Sequence, residues 1–281
     1  MDAEDPRIEE EAAPSRHLSQ EEVETVAGMK AGSARVVHEA IRLQGNDELS
    51  RPLASLLFSA FAAGLAISVS VLAESFLSMR LPATPAFELV SSFGYSIGFV
   101  IVILGNLQLF TENTVTAVLP LASHPTARNF GRLLRLWAIV FAGNMLGTLF
   151  VAVLMAHDVI LSPEQREAAL ALASKLLAHD AGTTLLLGVP SGFLVGAIAW
   201  ILPSARSSEF WIVTAITYVI AIGGFSHVVA GSAEAWLLWL SGRASLGWAV
   251  FGFILPALVG NIIGGTGLFA VLAHGQVRGE L

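Results

Sequence analysis

Gly223-Gly224-Phe225-Ser226-His227-Val228-Val229-Ala230 sets a glycine pair and one titratable side chain in the middle of a charge-free apolar run. That run lies between Glu209 and Glu234, which leaves 24 residues without a formal charge. Such a length is enough for a helix to cross the roughly 30 Å hydrocarbon core of a bilayer. A histidine at that depth is costly, tends to face a cavity or the bundle interior, and is by default a candidate functional residue. Each glycine weakens a helix by roughly 1 kcal/mol relative to alanine, so the pair predicts a helix interrupted beside His227.

The rest of the chain agrees with a membrane setting. Of 281 residues, 54% are hydrophobic and only 13% charged, with a mean hydropathy of +0.70. No ordinary water-soluble domain has that balance. The net charge of −7 comes largely from an acidic N-terminus (Asp2, Glu4, Asp5, Glu9, Glu10, Glu11). It is therefore an acidic tail and not a global field, and nucleic acid is not expected as a partner. With no cysteine, disulfides, thiolate metal sites and Cys nucleophiles are ruled out. The first residues lack a basic region followed by an apolar one, so no cleavable signal peptide is expected.

Residues 1 to about 18 read as a disordered acidic segment. Ser19-Gln20-Glu21-Glu22 is an N-cap signal for an amphipathic helix to about Gln44, with Val23, Val26, Met29, Val36, Val37 and Ile41 on its apolar side. From Arg51 the charges mark the membrane segments. Charge-free runs at 52–73, 89–111, 136–157, 181–205, 210–233 and 244–277 predict six spans. A seventh run, 113–127, is short and holds Pro120 and Pro125, which makes it the far half of a broken second helix. Three domains follow: 1–50, an acidic tail plus amphipathic helix; 51–275, the six-span pore domain; and 276–281, a short tail. The Lys and Arg residues divide eleven to four in favour of the side that carries both termini, so both termini are expected in the cytoplasm. The six tryptophans fall mostly near run ends, as interfacial belts do.

The halves resemble each other. Gly143-Asn144-Met145-Leu146-Gly147 in the third run matches Gly260-Asn261-Ile262-Ile263-Gly264 in the sixth. An interruption precedes each: Leu109-Phe110-Thr111-Glu112-Asn113, and Gly224-Phe225-Ser226-His227. Three spans per half is an odd number, so the second half must be inserted upside down. Inverted repeats with paired broken helices mark transporters and channels, with the pathway at the repeat interface.

These motifs, together with Ala60-Phe61-Ala62-Ala63-Gly64, resemble the formate/nitrite transporter family from about Leu53 to Ala273. The resemblance implies an all-α, aquaporin-like membrane fold: six transmembrane helices in two inverted three-helix repeats with two broken helices. It implies a homopentamer in the bacterial inner membrane, in contact with membrane lipids, passing small monovalent anions or their conjugate acids. By the same resemblance His227 and Asn261 meet at the pore centre, and Thr111 lies at the other break. One position departs from the family pattern. Glu112 stands where a small residue is usual, and a carboxylate in the pore repels anions by roughly several kcal/mol at a few Å if poorly screened. Glu112 is expected instead to close its loop onto backbone donors.

The physical problem of such a pore is the desolvation of a bare anion, which its neutral acid escapes. A desolvated His227 rests neutral and is expected to hand a proton to the cargo, with Asn261 bonding the ring or orienting the substrate. Phe61, Phe93, Phe110 and Phe225 are candidate constrictions, whereas Glu74 and Glu234, at run ends, read as wet interfacial residues. The pathway set is thus His227, Asn261, Thr111, Phe110, Phe225, Glu112 and Phe61. No nucleotide loop, metal cluster or Ser/His/Asp arrangement stands out, so neither an enzyme nor a cofactor is expected. Two other readings remain open: an aquaporin-like pore for a cation or neutral solute, selected by Glu112, and a non-conducting scaffold that recruits a partner through its acidic end.

Overall fold

The computed structural model describes residues 33–82, 84, 86–205 and 207–279, within a unit that begins at Ala34. The acidic segment 1–18, the cap signal at Ser19, Val23, Val26 and Met29, and also Arg206, lie outside the described residues. Among the described residues every regular element is helical. An amphipathic helix α1 (Ala34–Ser50) comes first, burying Val37, Ile41 and Leu49. It runs six residues further than the sequence suggests, because Glu48 and Leu49 also pack inward.

Five helices are long and apolar enough to cross a membrane: α2 (Leu53–Ser78), α3 (Phe87–Leu104), α6 (Ala127–Ala156), α8 (Ala181–Ser204) and α11 (Trp248–Val277). Between α3 and α6 lie two short helices, α4 (Phe110–Asn113) and α5 (Val118–Ser123). Outside the apolar set, α7 (Pro163–Ala173) starts from a capping box of Ser162 and Gln165 with Pro163 in its first turn. The run that holds His227 becomes two shorter apolar helices, α9 (Glu209–Ile222) and α10 (Val228–Leu240). Glu234 therefore sits inside α10, not at a helix end. Polar side chains fix the starts of α6 and α8: Thr126 Oγ1 accepts the Asn129 N–H at 3.2 Å, and Asp180 Oδ1 accepts the Thr183 N–H at 2.7 Å.

Two pairs of helices are held at backbone contact. α2 packs along α6, where Gly64 faces the backbone of Asn144 and Gly147, and Gly143 faces Ala60. α8 packs along α11 in the same way, with Gly188 against Gly260, Gly192 against Asn261, and Gly264 against Val189. Lipid tails are as apolar as leucine, so helices in a membrane gain by close van der Waals packing, which small residues allow. A side chain at Gly64, Gly192 or Gly264 would meet backbone, and at Gly143 the Ala60 Cβ, neither of which can move aside.

Both interruptions are the same turn. α3 stops at Leu104 and α4 starts at Phe110; α9 stops at Ile222 and α10 starts at Val228. Each gap, residues 105–109 and 223–227, opens with a glycine, followed by a residue in the left-handed region: Asn106 at φ 51° and Gly224 at φ 62°. The hydrogen bonds also correspond. Leu107 N–H reaches back to Val102 C=O at 3.0 Å, and Phe225 N–H to Ile220 C=O at 3.0 Å, closing each helix end in a Schellman-type turn. The first interruption lies upstream of where the sequence suggests. Asn106 tolerates the left-handed conformation and ends α3, so Phe110 to Asn113 form the first turn of the far half and not the break itself.

Candidate functional site

Two buried asparagines hold the two gaps by matching sets of bonds. Asn144, on α6, accepts the Phe110 N–H at 2.9 Å and donates to Ala60 C=O at 2.8 Å and Gln108 C=O at 2.9 Å. Asn261, on α11, accepts the Val228 N–H at 2.9 Å and donates to Gly188 C=O at 2.9 Å and Ser226 C=O at 2.8 Å. Each side chain satisfies the first free N–H of a restarted helix and one carbonyl of its gap, groups that cannot be left unpaired in hydrocarbon. Asn261 does not bond the imidazole: both its amide hydrogens and its oxygen are committed to backbone. Trp137, read from the sequence as an interfacial residue, also braces this region by donating to Asn113 C=O at 3.2 Å.

The gaps bring Thr111 and His227 together. Thr111 Oγ1 lies 2.7 Å from His227 Nε2, and both residues are buried. His227 also caps α10, because its Nδ1 accepts the Ala230 N–H at 3.1 Å. An Nδ1 that accepts carries no proton, so in the neutral ring the proton sits on Nε2 and is donated to Thr111 Oγ1. A second proton would have to displace the helix cap. The expectation that His227 gives up its own proton therefore meets a physical obstacle, since the neutral ring has only its strongly held Nε2 proton to give.

A cavity of 220 Å³ reaches His227, lined also by Glu74, Tyr95, Phe225, Ser226 and Glu234. Its outer part holds Glu88 and Lys175, paired at 3.0 Å. Glu74 and Glu234 have no ion-pair partner among the described residues, and Glu74 is only 9% exposed. Glu74 is therefore buried, Glu234 is half-buried, and both line the cavity that reaches His227. Phe99, which the sequence did not single out, stands edge-on to the His227 ring at 4.9 Å, with Tyr95 5.1 Å further back. Both lie on α3, whose apolar sequence carries no local signal separating a ring that faces His227 from one that faces lipid.

The remaining predicted residues lie elsewhere. Phe225 lines the cavity. Phe110 is buried against Trp137 and Phe141, at 5.8 and 5.2 Å, and Phe61 packs edge-on to Phe150 at 5.9 Å. Neither ring is brought to His227. Glu112 follows Thr111 in the first turn of α4, half-buried, and its carboxylate has no hydrogen-bond or ion-pair partner among the described residues. It does not close the loop onto backbone donors. Close by, Glu48 on α1 accepts the Thr116 hydroxyl at 2.7 Å and the Gln44 amide at 3.2 Å, tying α1 to the far half of the first broken helix. Among the described residues no group of three His, Asp or Glu side chains could hold a metal ion.

Comparison with known proteins agrees with this geometry. The family model described as formate/nitrite transporter matches residues 35–275. Inner membrane protein YfdC of Escherichia coli is 38% identical over 250 residues, covering 88% of this chain and 80% of that protein. An uncharacterized transporter of Bacillus subtilis, YrhG, is 29% identical over 249 residues, covering 85% of this chain and 92% of its own. A solved pentameric formate channel with formate bound shares the fold, with a TM-score of 0.67 at 20% identity over 80% of this chain and 97% of that one. The matched family is one of transporters and channels, and the chain is not an enzyme. With five apolar spans, two interrupted helices closed by matching asparagines, and a family match over nearly the whole described length, this multi-pass membrane protein belongs to the formate/nitrite transporter family.

Proposed function

We propose that the protein is a channel or proton-coupled transporter for small monovalent anions of weak acids, such as formate or nitrite, which cross at the Thr111–His227 contact. The observation that carries this reading is that contact itself: a 2.7 Å bond between the starts of the two restarted helices, whose His227 lines a cavity. The matching turns and asparagine clamps support six spans in two inverted repeats, with α9 and α10 together making the fifth span. The solved formate channel is a pentamer, which supports a homopentamer here. The basic residues favour cytoplasmic termini, and the Escherichia coli relative is an inner membrane protein.

In this reading His227 acts as a neutral hydrogen-bond donor through Nε2, shared with Thr111, and Phe99 and Phe225 exclude water around it. Asn261 and Asn144 hold the gaps open in shape. Phe110 and Phe61 support the wall from behind, and Glu112 lies beyond Thr111 on the other side. Glu74 and Glu234 in the cavity oppose entry of a bare anion, so the cargo passes His227 as its neutral acid, which avoids most of the desolvation cost. The same carboxylates favour a second reading, a pore for a cation or neutral solute. Stopped-flow uptake of formate, nitrite and acetate into proteoliposomes separates the two. A weak-acid pathway gives uptake that rises as the pH falls from about 8 to 5. A cation or neutral-solute pore, or a scaffold, passes none of the three anions, and in a pore the Glu74→Gln and Glu234→Gln changes alter cation flux instead.

A further inference from the structure

A second cavity, of 710 Å³, lies where α1, the end of α5 and the end of α11 meet. Five of its lining side chains can carry positive charge: His38 and Arg42 from α1, His124 just after α5, and His274 and Arg278 from the C-terminal end of α11. One carboxylate, Glu39, faces them, and Arg42 already holds it with two bonds of 2.6 and 2.7 Å. The lining is therefore basic after its one ion pair is taken into account. Two polar atoms there are buried and have no partner: His38 Nδ1 and Ser123 Oγ. His38 is fully buried, and its Nε2 lies 3.1 Å from His274 Nδ1. One proton serves that bond, so whichever ring holds it, His38 Nδ1 is left as a bare acceptor or an unspent donor. Buried polar groups are rarely left so, and both residues line one basic cavity, which fits a ligand that supplies acceptor oxygens.

We propose that this cavity binds a phosphate group, either of a soluble phosphate compound or of an anionic phospholipid headgroup. The Ser123 hydroxyl and a protonated His38 Nδ1 donate to its oxygens, and Arg278 with the protonated histidine balances its charge, while the Arg42 nitrogen not used by Glu39 adds a donor but no net charge. When the site is empty, burial and the facing His274 hold His38 below the ordinary histidine range. Binding thus draws a proton onto the histidine pair: His38 keeps Nε2–H on His274 Nδ1 and gains Nδ1–H toward the anion. The other ionisable groups facing the pair are Glu39, Arg42, His124 and Arg278, and only Glu39 opposes the anion.

The test uses the purified full-length chain. Titration calorimetry with inorganic phosphate reads affinity. Sulfate, which does not titrate near neutrality, reads proton uptake from heats measured in buffers of different ionisation enthalpy. The expected result with sulfate is uptake of about one proton per site at pH 7.5, and binding that tightens by up to roughly tenfold per pH unit on acidification. Ser123→Ala and Arg278→Gln, both near the surface, should fold normally and weaken binding severalfold, and His38→Gln should abolish the proton uptake. If the natural source is a lipid, nanodiscs of phosphatidylglycerol raise the melting temperature over phosphatidylcholine in the parent, and the increment disappears in Ser123→Ala and Arg278→Gln. The proposal is overturned if neither phosphate nor phosphatidylglycerol acts on the parent, or if both act equally on parent and variants.

Discussion

Replacing Asn261 by alanine probes what shapes the gap. The change removes three hydrogen bonds, to Val228 N–H, Gly188 C=O and Ser226 C=O. Gly188 lies inside α8, where its carbonyl retains the helical bonding position, so two groups, Val228 N–H and Ser226 C=O, lose their main partner. Leaving a buried polar group unmade costs about 1–3 kcal/mol, which gives about 2–6 kcal/mol for the pair. For a chain of this size 1 kcal/mol moves the melting temperature by about 2–4 °C, so the variant should melt at least about 4 °C lower. Asn144→Ala breaks a bond set of the same composition and should give a loss of similar size. The assay is thermal unfolding of purified protein followed by tryptophan fluorescence, with Phe58→Ala as control, since Phe58 is 77% exposed in the single chain. Melting of Asn261→Ala within a degree of the parent would show that the asparagine does not hold the gap, and the argument from matching clamps would fail.

His227→Asn keeps a good N-cap for α10 and should remain folded. His227→Ala loses the cap as well as the Thr111 bond and should be less stable by about 1 kcal/mol, read as a further drop in melting temperature. On α1, burial raises the Glu48 carboxyl above its ordinary value. A carboxyl with a raised folded-state value favours the fold when protonated, so stability falls as pH rises from about 4.5 upward. Glu48→Gln should therefore raise the melting temperature at pH 8 and change it little at pH 4; an equal effect at both would count against the assignment. Gly147→Leu would force a side chain onto the backbone of Phe61 and Gly64 and should abolish folded protein in size-exclusion chromatography, while Gly131→Leu, with open space around it, should not.

Most of the fold was legible because hydrocarbon leaves few choices. Charge-free runs of about 20 residues become helices, and the Gly-Gly before His227 does end one. The first break was misplaced toward Leu109 because Gly105-Asn106 carries a weaker signal than a glycine pair; the left-handed turn at Asn106 depends on its side chain tolerating positive φ. The site was legible in part. Thr111 and His227 lie 116 residues apart and are brought together by a repeat visible in the Gly-Asn motifs. The direction of a side chain was not legible. Glu74 and Glu234, at the edges of apolar runs, looked wet, yet helix phase turns both onto one cavity. Phe110 and Phe61, at motif positions, turn toward α6 instead. Asn261 proved to hold backbone and not the ring, because a helix restarting in an apolar interior needs its first N–H satisfied before any side chain can be spared.

The most direct test of the proposed pathway is formate uptake into proteoliposomes as a function of pH, comparing the parent with Thr111→Val. Valine is close in size to threonine but cannot accept the His227 Nε2 proton, so the partner of the ring is lost without opening the site. The account predicts uptake by the parent that grows on acidification, and a severalfold loss in Thr111→Val at every pH, with a folded protein whose melting falls by the few degrees that one unpaired buried donor costs. Parent uptake that is absent, or a Thr111→Val variant that transports as well as the parent, would contradict it.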